Sequence, residues 1–247
     1  MTPEKSLQRL RDLILRIAEA ETDDFSELAK IAGLNPVKDF AGANLSGIDL
    51  RCADLSGAKL INTILIRADL SGADLSGTRL NYANLTEANL VGTTLISVDL
   101  TNANLIGANL ADANLISARL ACSNLTGANL SQVKLLGADL RRTTLVNTNL
   151  SGASLAEANL SHACLRRAIL KNVDLSGAIL YGADLTSADL RGAILMDADL
   201  GAAIVKQAQF GEAPELSREI KLDLKERGAI FEEHLRDRSA TFSLIPR

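Results

Sequence analysis

Leucine stands at every fifth position from Leu45 to Leu200, thirty-two times in succession without a miss, and Phe40, Val205 and Phe210 hold the same register at the ends. Two residues before each centre, from Ala43 to Ala208, only small or slim side chains occur: twenty-four Ala, five Thr, three Val, one Ile and one Ser. The next residue is usually Asn or Asp, as in AlaAspLeu at 53–55 and AlaAsnLeu at 103–105, and the remaining pair is often SerGly, ThrGly or IleGly. A period of five matches neither the 3.6 of a helix nor the 2.0 of a strand, so neither element can carry the pattern over this length.

A period of five suits a coil that turns a corner every five residues and places one large and one small apolar side chain inside on each side. Four such sides close a square. Stacked squares pair their backbones with the coils above and below at strand spacing, so the hydrogen bonds run along the axis. Large Leu and small Ala alternate because so narrow an interior has no room for two large groups per side. The chain has no Trp, two Tyr and five Phe, which excludes an ordinary aromatic-anchored core and leaves this aliphatic one.

The units AlaAspLeuSerGly at 53–57, 68–72 and 73–77 and AlaAsnLeuSerGly at 43–47 resemble those of the pentapeptide-repeat proteins. That resemblance, over about residues 38–210, implies a mainly β fold: a right-handed quadrilateral parallel β-helix. Thirty-five centres at four per coil predict just under nine coils, about 40 Å long at ~4.8 Å each. The expected organisation is an α-helical cap over 1–37, the β-helix over 38–210, and a helix, short strand and mobile tail over 211–247. Segments 25–34 and 225–231 are similar to flanks of cyanobacterial members.

A solenoid leaves unpaired backbone and apolar core at each end, so caps are expected. Thr2 and Pro3 begin a helix over about 3–20 in which Leu7, Leu10, Ile14 and Ile17 form one face, and Asp23 or Asp24 caps a second over 25–32. The first helix either packs against the second and the first coil or forms a short coiled-coil dimer. Toward the other end, 214–227 reads as a helix with Leu216, Ile220 and Leu224 on one face, stopped by Gly228, with a strand at 229–231.

Chemistry finds few residues to use. His162 and His234 are the only histidines, one at an outward corner and one in the tail, so nothing supports a Ser-His-Asp arrangement. Cys52, Cys122 and Cys164 fall on outward positions of different sides or distant coils, which predicts surface thiols and no metal site. Ser131-Gln-Val-Lys134 and the sequon at Asn84–Thr86 are by-products of the repeat. A convex rod offers no deep pocket, so no enzyme activity and no cofactor are expected. The outward Asn columns, Asn89, Asn109, Asn129 and Asn149 beside Asn84, Asn104 and Asn124, are read as structural amide ladders.

The net charge is −4, too mild for a polybasic nucleic-acid binder. Known gyrase-protecting relatives suggest DNA mimicry, but residues 41–210 carry 14 acidic and 13 basic side chains where a rod imitating a duplex needs on the order of 20 negative charges. Arg166, Arg167, Lys171 and Arg191 gather toward one edge without interleaved aromatics, and nucleic acid is not an expected partner. No basic-then-apolar leader and no apolar run of 18 residues occurs, so the expectation is a cytoplasmic protein without membrane contact.

The reading is therefore a non-catalytic scaffold presenting flat faces to an unidentified protein partner, as a monomer or homodimer. The alternatives are a DNA-mimic modulator of gyrase and a regulator of cyanobacterial differentiation or signalling. Leu105, Ala108, Leu110, Ala113 and Leu115 define the expected core. Ile96, Ile116 and Leu136, twenty residues apart, form an outward apolar column as the candidate partner surface.

Overall fold

Unit 73–77 shows how five residues dispose of five backbone N–H groups. In the computed structural model, which describes residues 40–232 together with 27, 29, 33 and 35, Ala73 N donates to Leu70 O (3.0 Å) and closes a turn. Asp74 N reaches back one coil to Ala53 O (3.0 Å), while Leu75 N and Gly77 N reach forward to Thr94 O (2.7 Å) and Ile96 O (2.8 Å). The fifth, Ser76 N, donates to Asp74 Oδ1 (2.8 Å). Every donor of the unit is thus satisfied, three of them along the stack.

Repeated without interruption, this scheme pairs each residue before a centre with the one twenty positions on, from Asn44↔Ile64 to Asp189↔Gln209, always parallel. Four units make one coil. The first face is centred on Leu45, Leu65 and onward to Val205, the second on Leu50 to Phe210, the third on Leu55 to Leu195, and the fourth on Phe40 to Leu200. First and third faces lie on opposite sides of the rod. Only one residue per unit bridges to the next coil, because the next two turn the corner; the sides are ladders of single bridges and not the extended strands that a mainly β description implies.

The position two after each centre sits at positive φ throughout, which explains the recurring Gly: Gly77 has φ 63° and the position opens onto empty space. Non-glycine residues adopt the same conformation at Tyr82, Cys122, Arg142, His162 and Arg167, at a cost of about 1–2 kcal/mol each that the axial bonds on both sides hold in place.

Inside, Leu105, Ala108, Leu110, Ala113 and Leu115 are fully buried, within one core that runs the length of the described coils. Where Thr takes the small slot, its hydroxyl finds a carbonyl of the preceding coil, as in Thr78 Oγ1 to Leu55 O (2.7 Å) and Thr143 Oγ1 to Leu120 O (3.0 Å). Ser123 occupies the same slot, is buried, and its Oγ has no partner. An unpaired buried hydroxyl is costly. Ser123→Ala is therefore expected to raise stability, by about 1 kcal/mol, measured as a higher denaturant midpoint; a lower midpoint would mean the hydroxyl is satisfied after all.

Beyond the last coil the chain imitates one more. Strand β1 (Gln209–Gly211) pairs in parallel with β2 (Ile230–Phe231), and between them runs helix α1 (Arg218–Glu226). Helix α1 is shorter than the expected 214–227. Glu215 Oε1 accepts from Leu195 N (2.8 Å), holding that stretch against the coil end with Leu216 buried. The helix then begins at Ser217, whose hydroxyl accepts from Ile220 N (3.2 Å). Leu224 is fully buried, whereas Ile220, expected on the same face, is exposed. Arg227 donates from Nη1 to Leu200 O (3.3 Å) and Ala203 O (2.9 Å), carbonyls of the terminal coil, and Phe231 stacks on Phe210 at 5.2 Å.

The helix over 3–20 with Leu7, Leu10, Ile14 and Ile17 lies outside the described residues, as do His234 and the tail after Glu232. Of the second helix only Glu27 and Ala29 are described; both are helical, and Ala29 is buried with the core.

Candidate interaction surface

Three of every five side chains face outward, at the position before each centre and at the two corner positions after it. The Asn and Asp residues are first of all clamps on the local turn: Asn84, Asn104 and Asn124 each accept through Oδ1 from the N–H two residues on. The expected amide ladder runs through part of one column, where Asn129 Nδ2 donates to Asn109 Oδ1 (2.9 Å) and Asn149 Nδ2 to Asn129 Oδ1 (3.2 Å), while Asn89 Nδ2 donates instead to Asp69 Oδ1 (3.0 Å). No such bond joins Asn84, Asn104 and Asn124 among the described residues. Sequence reasoning saw the stacking but missed the clamp, although Ser or Thr two residues after the Asx was its signal.

Where Arg follows the centre and Asp precedes it, the two form a two-pronged clasp: Arg141 Nε and Nη2 reach Asp139 Oδ1 and Oδ2 at 2.8 and 2.7 Å, and Arg191 does the same to Asp189. The Arg191 hydrogen bonds, partly opposed by partial burial, hold the Asp189 carboxyl at about 2, and the same contact from Arg141 lowers Asp139. A carboxylate depressed in the folded state stabilises the fold above its unfolded value, near 3.9, and that contribution disappears as pH falls toward 2. A carboxyl titration by NMR is expected to show Asp189 still ionised at pH 3; an ordinary midpoint near 4 would remove the clasp.

The basic group expected near one edge divides. Lys171 and Arg191 share the one carboxylate of Asp189, at 3.4 and 2.7 Å, so both are engaged there. Arg166 stands on a different edge, 4.0 Å from Asp184, and Arg167 has no carboxylate within ion-pair distance among the described residues. The apolar column is present but uneven: Ile96 and Leu136 are 37% and 42% exposed, and Ile116 between them is half-buried. Ser76 and Ala156 bound it below and above, so it spans three coils on the edge between third and fourth faces.

The rod is not featureless. Cys122, Arg142 and His162 stack on successive coils at the corner between fourth and first faces, and with Arg141 and Ser161 they line a shallow groove of about 400 Å³. Tyr181 meets His162 edge-on at 5.9 Å. The expectation of a uniformly convex surface fails here because long side chains at the corner rise around the small Ala121 and Ser161. Cys52, Cys122 and Cys164 are unbridged, no cluster of three or more metal-ligating side chains occurs among the described residues, and no described helix is long and apolar enough to cross a membrane.

An unbroken four-sided stack of coils, capped by a helix and a two-stranded ladder, defines a solenoid protein. The family model described as pentapeptide repeats matches residues 39–77, 68–105, 95–132, 134–172 and 168–207, and the chain belongs to the pentapeptide-repeat family, whose members form right-handed β-helices. Among solved structures it is similar to HetL, a pentapeptide repeat protein involved in heterocyst differentiation regulation from the cyanobacterium Nostoc sp. strain PCC 7120, with 36% identity over 76% of this chain and 94% of that one (TM-score 0.36). Rfr23 from the cyanobacterium Cyanothece 51142 is 35% identical over 38% of this chain and 62% of its own (TM-score 0.30). QnrB1, a plasmid-mediated fluoroquinolone resistance protein, is 20% identical over 77% and 98% (TM-score 0.45). The comparison with curated proteins gives no match.

Proposed function

We propose that the protein is a non-catalytic interaction module that presents the regularly spaced side chains of a rigid rod to a protein partner. The observation that carries this reading is the axial lattice itself: outward residues recur every twenty positions on a backbone bonded to both neighbouring coils. Such a surface loses little order on binding. The column Ile96, Ile116 and Leu136 is the candidate contact, since adjacent exposed aliphatic groups favour association. Ile116→Lys combined with Leu136→Lys leaves the core untouched and is expected to abolish capture of the partner from native extract, or self-association in sedimentation. Unchanged capture and unchanged mass would remove the column from the interface.

Likeness to HetL supports a second, narrower reading, a regulator of differentiation in a cyanobacterium, because 36% identity extends over 94% of that protein. The cytoplasm is the compartment that suits three unbridged cysteines. Imitation of DNA is less well supported: 14 carboxylates and 13 cations alternate over 41–210, and a mimic needs a sustained negative field. The purified protein is expected not to inhibit gyrase supercoiling at micromolar concentration; inhibition that weakens with added salt would reinstate that reading.

A further inference from the structure

Near-neutrality along the rod conceals a transverse asymmetry. The first face and its two flanking edges carry Arg67, Arg141, Arg142, Arg166, Arg167 and Lys206 against only Glu87 and Asp184. The third face, opposite, carries with its own edges Arg51, Lys134, Lys171 and Arg191 against Asp54, Asp74, Asp112, Glu157, Asp174 and Asp197. One side of the rod is positive and the other negative.

The positive side is also shaped. Its floor between residues 124 and 164 is Asn124, Thr144 and Cys164, uncharged and half-buried. Along one edge stand Arg141, Arg142 and His162, which with Ala121, Cys122 and Ser161 line the 400 Å³ groove at that corner, and along the other edge stand Arg166 and Arg167, both exposed. Arg141 is committed to Asp139 on the adjoining face, and Arg166 touches Asp184 at the limit of an ion pair. Arg142 and Arg167, both exposed at positive-φ corners, have no carboxylate within 4.0 Å among the described residues. Two guanidiniums without an ion-pair partner among the described residues therefore flank a neutral strip of the face, on opposite edges of successive coils.

We propose that the first face, between Arg142 and Arg167, docks an acidic segment of a protein partner whose carboxylates these two guanidiniums receive. It rests on the reading of the protein as an interaction module and names the chemistry of the partner. A planar guanidinium takes a carboxylate through two parallel hydrogen bonds, and Arg and Tyr are the side chains that most often anchor protein interfaces; Tyr181, 49% exposed, stands beside His162 on the same edge. A nucleic-acid strand fits less well. Its continuous phosphates would meet Glu87 and Asp184, and the floor offers no aromatic ring on which a base could stack.

The test is fluorescence anisotropy of the full chain with a labelled octaglutamate peptide, with octalysine and a single-stranded oligothymidylate as comparisons. Octaglutamate is expected to bind, with affinity falling as ionic strength rises. Arg142→Glu with Arg167→Glu is expected to weaken it by about tenfold or more, while Lys134→Glu on the opposite face leaves it unchanged. Both arginines are solvent-exposed, so an unaltered thermal midpoint is expected to certify the fold of the double variant. Absence of octaglutamate binding, equal binding by the double variant, or tighter oligothymidylate binding lost in that variant would each overturn the proposal. None of these would touch the module reading, which stands or falls with the column on the edge between third and fourth faces.

Discussion

Ala108→Phe is expected to lower the unfolding midpoint sharply, by about 1–3 kcal/mol or more. Ala108 is fully buried in a slot whose neighbours along the axis, Ala88 and Ala128, are also Ala. A larger ring has nowhere to go unless the coils separate, and separation breaks Asn109 N to Ala88 O and Asn129 N to Ala108 O, both 2.9 Å. The fit that excludes a ring here confines buried aromatics to the end coils, where Phe40 and Phe210 hold centre positions. Ser97→Lys, at an exposed corner, is expected to stay within about 0.5 kcal/mol of the parent. An unchanged midpoint for Ala108→Phe would show that the interior is not close-packed.

Leu224→Ala is expected to be as costly, about 2–5 kcal/mol, and to change behaviour as well as stability. Leu224 is the fully buried residue of α1; the helix also carries Asp223, which holds Arg227 at 2.7 Å and so aims it at Leu200 O and Ala203 O. Loosening the helix uncovers Phe210 and Val205 together with the unpaired edge of the last coil, a template for another chain. The variant is therefore expected to show concentration-dependent assembly in light scattering. A destabilised variant that stays monomeric at high concentration would mean that β2 alone protects the coil end.

The fold was legible in the sequence to an unusual degree because one physical requirement recurs without exception. A centre must be large, the residue two before it small, and any departure would open a cavity or overfill the square. The ends were less legible. The expected helix over 214–227 follows propensity and periodicity, but Glu215 is drawn away by Leu195 N, a long-range bond that no local pattern announces. Ile220, in the first turn of the shortened helix, stays exposed while Leu224, four residues on, is buried.

The surface was least legible. The total charge of the rod hides the division between first and third faces, although the twenty-residue register already sorts every charge by side. Arg141 and Arg142 are indistinguishable neighbours in sequence; only the structure shows that Arg141 is clasped by Asp139 and Arg142 is not. Lys171 and Arg191 were grouped with Arg166 and Arg167 by proximity in the chain, whereas a shared partner, Asp189, takes them out of the group.

Because every coil closes after four units, the architecture is intolerant of small changes in length and permissive of large ones. A single inserted residue would turn every later Leu centre and its small partner outward, whereas twenty inserted residues add one coil and leave each face as it was. The chain can thus lengthen only in quanta, and between those quanta three of every five side chains point outward and can vary without entering the core. Recognition and stability are inherited on separate letters of the same word, so a member of this family can change what it binds without renegotiating how it folds.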